Sequence, residues 1–208
     1  MSDYSDRLKA SEWEVRSVSL DTARHLVVAH HYARGASNTA TYLHGLFRRG
    51  SLWEASCCGV AWWIPPTKSA AIATDANWQG VLALSRLVIV PDVPKNACSF
   101  LLSSSMRAID RSRWPCLVTY ADERMGHTGT IYRATNWQEV GVTAPEAAFV
   151  LNGRTVARKA GPKTRTRAQM EALGAVMVGR FAKRKFVHRA AVTGRLASHG
   201  LTGSPCAL

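Results

Sequence analysis

The stretch LALSRLVIV (residues 82–90), PDVPKNACSFLLSSSMRAIDRSRW (91–114) and PCLVTYADERMGHTGTIYRATNWQEVG (115–141) decides the fold. Its first part is an apolar strand pattern that runs into a polar turn at 91–96. A helical pattern follows over 97–113, with Phe100, Leu101 and Ile109 among its apolar positions. Residues 116–120 form a second apolar strand. A Gly-rich turn at 126–129, a short helix over 130–134 and a returning strand over 137–142 come next. Two strands bracketing a helix of crossover length make a βαβ-like unit. In open sheets of this kind a ligand sits beyond the C-terminal ends of the strands, at a switch point. Asn96, Ser99, Asp122, His127 and Tyr132 all fall in the loops or first helical turns after those ends, so the chemistry is expected there.

The flanking sequence extends this unit. EWEVRSVS (12–19) alternates well enough for a first strand, and Asp21 is placed to cap a helix over 21–33. Residues 37–49 stay ambiguous between a substrate-facing loop and a short helix. Residues 51–64 read as one long strand with a bulge near Gly59. Trp62 and Trp63 then point to opposite faces, one into the core and the other outward or into a pocket, where Trp63 would offer a stacking surface for a nucleobase. Residues 70–74 read as a short hairpin partner, and 149–159 as a hairpin around Asn152–Gly153. After Gly161 a basic linker enters a helix. Residues 177–191 read as a basic amphipathic helix, with Val178, Phe181, Phe186 and Val187 as its apolar stripe. From Thr193 onward the chain is expected to be poorly ordered. The division this implies is a catalytic domain over 1–160 and a basic extension over 161–208.

Composition bounds the function. The 208 residues are 47% hydrophobic and 20% charged, which suits one globular domain with an appendage. No apolar run approaches the ~20 residues a membrane helix needs, and the N-terminal residues lack the apolar core of a secretory signal. Five Cys without C-x-x-C spacing, two of them in an apolar strand pattern, point to reduced thiols and a reducing cytoplasm. The net charge of +13 is uneven. Residues 1–153 carry 15 Lys and Arg against 13 Asp and Glu, whereas 154–208 carry 12 against Glu171 alone. A nearly neutral body with a polycationic C-terminal quarter favours a polyanionic partner, most often nucleic acid. A solvated basic tail is the plainer alternative.

Each candidate residue has two readings. His31, next to Tyr32 at a helix end, is either a dipole-friendly terminal residue or part of a polar rim. Arg86 interrupts a buried strand, so it is either an ordinary strand-face ion pair or a cation aimed at a carboxylate or phosphate. The N-terminus of the 97–113 helix, with Ser99 and with Lys95 just before it, offers main-chain N–H groups to an anion; the glycines of a Walker loop are absent. Asp122 is a turn cap or a group that orients or deprotonates an amine. Tyr132 is a half-buried packing residue or a proton donor.

The block IYRATNWQEVG resembles the acyltransferase signature of the GCN5-related N-acetyltransferase superfamily. The blocks LSRLVI, PKNACSFLLSSSMR, LVTYAD and GHTGTIYRATNW, with the HHY and GRTVARKAGPKTRTR segments, resemble more closely the Mom family of bacteriophage DNA modification proteins. The resemblance covers roughly residues 20–170. It implies an α/β (α+β) fold, a GCN5-related N-acetyltransferase-like mixed central sheet flanked by helices, with the basic C-terminal extension added. It also implies modification of adenine N6 in DNA to the carbamoylmethyl form in the cytoplasm of an infected bacterium, protecting phage DNA from restriction. Catalytic roles fall on Arg86, Ser99, Asp122 and Tyr132. Acetyl-CoA or a related acyl donor would lie against Val88, Lys95, Asn96 and Ser99. Double-stranded DNA would meet His31, Tyr32, Trp63, His127, Arg165, Arg167, Lys183, Arg184 and Lys185. An iron requirement is suggested for the family; His30, His31, His127 and Asp122 offer ligands, without a compact metal motif. The carbamoylmethyl group joins N6 through a CH2, whereas attack on the thioester of acetyl-CoA gives an amide, so the donor and route stay open. A coenzyme A-dependent N-acyltransferase acting on a protein or small amine is the alternative, and a homodimer is an open assembly.

Overall fold

The computed structural model describes residues 7–35, 37–160 and 163–190. Its centre is a seven-stranded sheet in the order β1-β2-β3-β4-β5-β12-β6. The strands are β1 (Trp13–Ser17), β2 (Tyr42–Arg48), β3 (Gly59–Ile64), β4 (Val81–Ile89), β5 (Cys116–Asp122), β6 (Gln138–Val142) and β12 (Lys183–Arg189). All neighbours are antiparallel except β4 and β5, which are parallel. The helix α1 (Leu20–His30) covers one face and α3 (Ala97–Ala108) the other, with the short α2 (Lys68–Ile72) and α4 (Thr130–Arg133) at the margins. Among the described residues no helix is long and apolar enough to cross a membrane.

Coverage on both faces explains the core. Val60 and Trp62 of β3 join Ala23, Leu26 and Val27 of α1, while Ala61 and Trp63 join Leu101 and Leu102 of α3. Alternating side chains of β3 thus enter two apolar layers, and Trp62 and Trp63 are both 0% exposed. The expected outward or pocket-facing role of Trp63 therefore does not hold. Its indole Nε1–H donates to Ser105 Oγ at 2.7 Å inside the core, and His44 Nδ1 lies 2.7 Å from the same hydroxyl. Since that oxygen accepts from the indole, its own proton is free for a neutral His44, whose pKa burial lowers.

Other expectations are corrected. Residues 42–48 are a central strand rather than a loop with a helix. A Cβ at Gly45 would lie within 3 Å of Val18, Cys57 and Phe47, so close packing put a glycine where the sequence suggested a break. Of 51–64 only Gly59–Ile64 is strand, and 70–74 falls largely in α2. The cap of α1 is Ser19, whose hydroxyl accepts from Thr22 N–H at 3.2 Å, rather than Asp21.

The C-terminal quarter departs furthest. Instead of a helix over 177–191 there are two strands, β11 (Val176–Phe181) and β12. β12 is inserted between β5 and β6, so residues 183–189 complete the sheet rather than leave it. β11 pairs with β7 (Glu146–Leu151), which pairs with β8 (Arg154–Val156) through the expected turn at Asn152–Gly153. The two-residue strands β9 (Lys159–Ala160) and β10 (Lys163–Thr164) lead to α5 (Arg167–Ala172), which Thr166 and Gln169 open with a reciprocal capping box. Phe149, Met170 and Ala175 give this arm its own buried cluster. The expected division after residue 160 thus cuts the arm, since β11 is laid against β7. The tail from Thr193 lies outside the described residues.

Candidate active site

The parallel pair β4–β5 makes the opening. Its register runs Val81–Cys116, Leu82–Leu117 and Ala83–Val118, and stops. Beyond it β4 stays on β3, with Ser85 bulged where Trp62 faces Arg86 and Trp63 faces Leu84. β5 meanwhile stays paired to β12 as far as Asp122. The two strands therefore diverge towards their C-terminal ends and leave main-chain groups of β4 without a strand partner on that side. The Thr119 hydroxyl, 2% exposed, donates to the Leu84 carbonyl at 3.2 Å at the start of the divergence.

Several expected residues converge at this opening. Among the described residues Arg86 meets no carboxylate. Its Nε donates to the Gly35 carbonyl at 2.9 Å and its Nη1 to the Ser85 carbonyl at 2.7 Å, fastening the segment after α1 to the bulge. That segment carries His31 and Tyr32, whose rings stack at 4.4 Å, and Tyr32 meets His127 edge-on at 5.6 Å. Burial, then Arg86, then His127 push the His31 imidazole down to about 4, so it is neutral at physiological pH. Its Nδ1 accepts from Ala33 N–H at 3.1 Å, which leaves the proton on Nε2. Burial and then the Asp122 carboxylate raise the Tyr32 phenol. Asp122 also caps the turn that follows, accepting from Arg124 N–H at 3.1 Å.

Tyr132 approaches from the other side. Gly129, at φ 84°, starts α4 and brings the Tyr132 ring within 5.1 Å of Phe186 and 5.8 Å of Trp137. Burial pushes the phenol up; a hydrogen bond with Thr119 opposes this, and Cys98 and Tyr32 add to it. Tyr32 thus feels the Asp122 carboxylate and is felt in turn by the Tyr132 phenol. Thr119, Cys98 and Arg124 were not singled out from the sequence, and no local pattern marks them; they matter only because β4 and β5 diverge there.

The turn at Lys95–Ser99 is partly committed. Asn96 Oδ1 accepts from Leu8 N–H at 2.5 Å, and Ser99 Oγ donates to the Asn96 carbonyl at 2.9 Å. The N–H groups of Ala97 and Phe100 have main-chain acceptors in Pro94 and Asn96. What this helix start offers an anion is the N–H groups of Cys98 and Ser99, together with the exposed Lys95. Val88 is buried on the α1 side, so only its main chain can reach the opening. Among the described residues no group of three or more His, Cys, Asp or Glu side chains converges at metal-ligand spacing. His31, His127 and Asp122 therefore do not fit an iron ion.

Several of the expected DNA-contacting cations are already partnered within the protein. Arg184 bridges Glu123 at 3.1 Å and Glu139 at 3.0 Å, Lys185 donates to the Ala73 carbonyl at 2.9 Å, and Arg167 is paired with Glu171 at 2.7 Å. Arg165 and Lys163 line an open trough of about 770 Å³ on the arm. A second cavity, about 470 Å³, lies at the opposite end of β12 by Arg111 and His188.

Comparisons with known proteins agree with this geometry. An Escherichia coli N-acetyltransferase of a ribosomal-protein alanine superposes with a TM-score of 0.51 at 11% identity, covering 88% of this chain and 97% of that one. An acetyl-CoA-bound GCN5-related acetyltransferase from Elizabethkingia anophelis gives 0.50 at 8% identity, covering 86% and 99%. At such identities the likeness is one of fold. The methylcarbamoylase Mom of Escherichia phage Mu is 29% identical over 136 residues, which are 64% of this chain and 55% of that protein, so the chain matches little more than half of its relative's length. The Mom protein family matches residues 12–190, and the chain belongs to that family.

Proposed function

We propose that this chain is a phage DNA-modifying transferase that converts adenine N6 in DNA to the carbamoylmethyl form and so shields the DNA from restriction. The observation that carries the reading is the convergence of Tyr32, Asp122, His127 and Tyr132 on one strand opening, beside a helix start suited to a phosphate. An acyl-CoA donor fits the fold: Lys95 and the Cys98 and Ser99 N–H groups would hold its pyrophosphate, and the unpaired main chain of Ser85–Ile89 its amide-bearing arm. Such a donor supplies an activated carbon with a thiolate leaving group.

The residues then divide the proton traffic. N6 of adenine is a weak nucleophile because its lone pair is delocalised into the ring, so its proton must leave as the new bond forms. Asp122 is the acceptor at the mouth. Tyr132, kept protonated by burial, is the donor to the departing group. Tyr32 and His127 form a wall for a base drawn out of the stack, which costs about a few kcal/mol. These proton roles give the carbamoylmethyl product where N6 displaces the thiolate at a CH2 that already bears the carboxamide; displacement at a thioester carbonyl would leave an N6 amide instead.

The test is mass spectrometry of plasmid nucleosides after expression. Modified adenine is expected, lost in Asp122→Asn and reduced at least ~100-fold in Tyr132→Phe. Unmodified adenine beside folded protein would sink the reading. Because the Tyr132 phenol is raised, the alkaline limb of activity should lie above pH 10. The fold likeness to N-acetyltransferases favours a second reading, an N-acyltransferase for a protein or small amine, which predicts acetyl-CoA turnover without DNA.

A further inference from the structure

The arm from Glu146 to Phe181 holds seven Lys and Arg against Glu146 and Glu171, a balance of +5. Some of these cations are committed. Arg167 pairs with Glu171, Arg180 donates to the Pro145 carbonyl at 2.8 Å, and Arg158 Nε donates to the Arg165 carbonyl at 3.0 Å. Among the described residues the side chains of Arg154, Lys159, Lys163 and Arg165 have no partner within the protein. A charge that folding leaves unneutralised is available to a ligand; one already paired is not.

Two of the four are arranged by the backbone. The ladder of β9 and β10 sets Lys163 opposite Ala160 and Thr164 opposite Lys159, and Arg165 N–H continues it by donating to the Arg158 carbonyl at 2.8 Å. Lys163 lies on β10 and Arg165 directly after its end, and both line the trough of about 770 Å³. Lys163, Thr164 and Arg165 form one wall of this trough, and Gln169 and Ala172 of α5 with Leu173 at its C-terminal cap form the other. The capping box uses the Gln169 carbonyl oxygen on Thr166 N–H, which leaves its amide N–H2 to donate. Among the described residues no acidic side chain lines the trough. Cations, an amide donor and a half-exposed Leu173 are what a phosphodiester strand and its sugars require. The arm that carries the trough joins the sheet at the end where Asp122 lies. Lys183, directly after the arm, pairs with Asp122, and Arg124 Nη2 donates to Thr155 Oγ1 of β8 at 2.6 Å, tying the arm to the loop after Asp122.

We infer that the trough between the β9–β10 ladder and α5 grips one phosphate backbone of duplex DNA and so sets which base can reach Asp122. This rests on the proposed DNA modification. The cations of β12 that are already partnered, Arg184, Lys185 and Arg189, take no part.

Fluorescence anisotropy of the whole chain with a 20-base-pair DNA duplex between 50 and 200 mM salt tests it. The Lys163→Ala/Arg165→Ala variant should lower the slope of log K against log salt by about 2 and weaken binding roughly 30- to 100-fold at 0.1 M salt. Lys185→Met should change neither. A slope unaltered in the double variant, an equal loss in Lys185→Met, or equally tight binding of double-stranded RNA would overturn the inference. Nucleoside analysis of the same preparations separates the two ideas. Unmodified adenine with the expected slopes refutes the modification reading alone; modified adenine with an unaltered slope refutes the trough alone.

Discussion

The arm and β12 are adjacent basic segments with opposite fates. The arm ends at Phe181 and β12 begins at Lys183, and both mix cations with apolar residues. β12 lies between two other strands, so Phe186 and Val187 are at most 2% exposed and three of its four Lys and Arg are drawn to partners at the sheet margin: Arg184 to Glu123 and Glu139, Arg189 to Asp75, Lys185 to a carbonyl. The arm is a thin layer over a small core, and four of its cations remain unpartnered among the described residues. Charge density along a chain therefore does not locate a binding surface. The position of the strand in its sheet decides whether a cation is consumed by folding or left for a ligand.

The two regions should respond very differently to a single added methyl group. Gly129 precedes α4 at φ 84°, and a Cβ there would run into the ring of the buried Phe186 of β12. Gly129→Ala combines left-handed strain with overpacking against a side chain that cannot retreat. It should cost about 2–5 kcal/mol and displace Tyr132. Gly153, at φ 73° in the β7–β8 turn, has open space around the same position. Gly153→Ala should cost about 1 kcal/mol, the conformational part alone. Denaturant melts of both variants measure the contrast; equal losses would mean that the arm is as tightly determined as the sheet.

The same contrast explains what could be read in advance. Residues 82–141 were legible because their signals are local: apolar runs of strand length, a helix of crossover length and Gly-rich turns. Two strands with a helix between them fixed where Asp122 and Tyr132 would lie. The helix expected over 177–191 failed because Phe181, Phe186 and Val187 imitate a helical stripe, although Met177 and Phe181 face the arm's interior while Val176, Val178 and Arg180 alternate outward. A bulge between Met177 and Gly179 further disguises that alternation. The two tryptophans were misjudged because alternation implies one wet face only when a sheet is covered on one side. The stack of His31, Tyr32 and His127, tied to β4 through Arg86, joins residues up to 96 positions apart, and nothing short of the fold brings them together.

A change of charge rather than shape tests β12 next. Arg184→Met removes the bridge between Glu123 and Glu139 but leaves Arg133 on Glu139. Exposed pairs contribute little singly, so the melting temperature should fall by only about 2–4 °C at neutral pH. The pH dependence is the sharper signature. Hydrogen bonds from Arg133 first, and then Arg184, hold the Glu139 carboxyl below its ordinary 4.5. A depressed carboxyl stabilises the fold above its unfolded-state value, and that contribution is lost as pH falls through the lower folded value. The gap between wild type and Arg184→Met should thus be constant from pH 7 to 5 and narrow below about 4.5. A gap that persists at pH 3 would show that Arg184 acts through packing.

The smallest effect is expected where the sequence looks most conspicuously charged. Arg154 sits exposed on β8 without an ion pair or hydrogen bond among the described residues, in an arm where cations outnumber acids. Arg154→Ala should change unfolding free energy by no more than about 0.5 kcal/mol, and relief of like-charge repulsion makes a slight gain the expected sign. Raising ionic strength should erase that gain, because a screening length of about 10 Å at 0.1 M salt already separates most of these charges. A loss above 1 kcal/mol would mean that Arg154 supports the β7–β8 turn through its side-chain stem. The arm would then resemble β12, with its cations consumed by the fold.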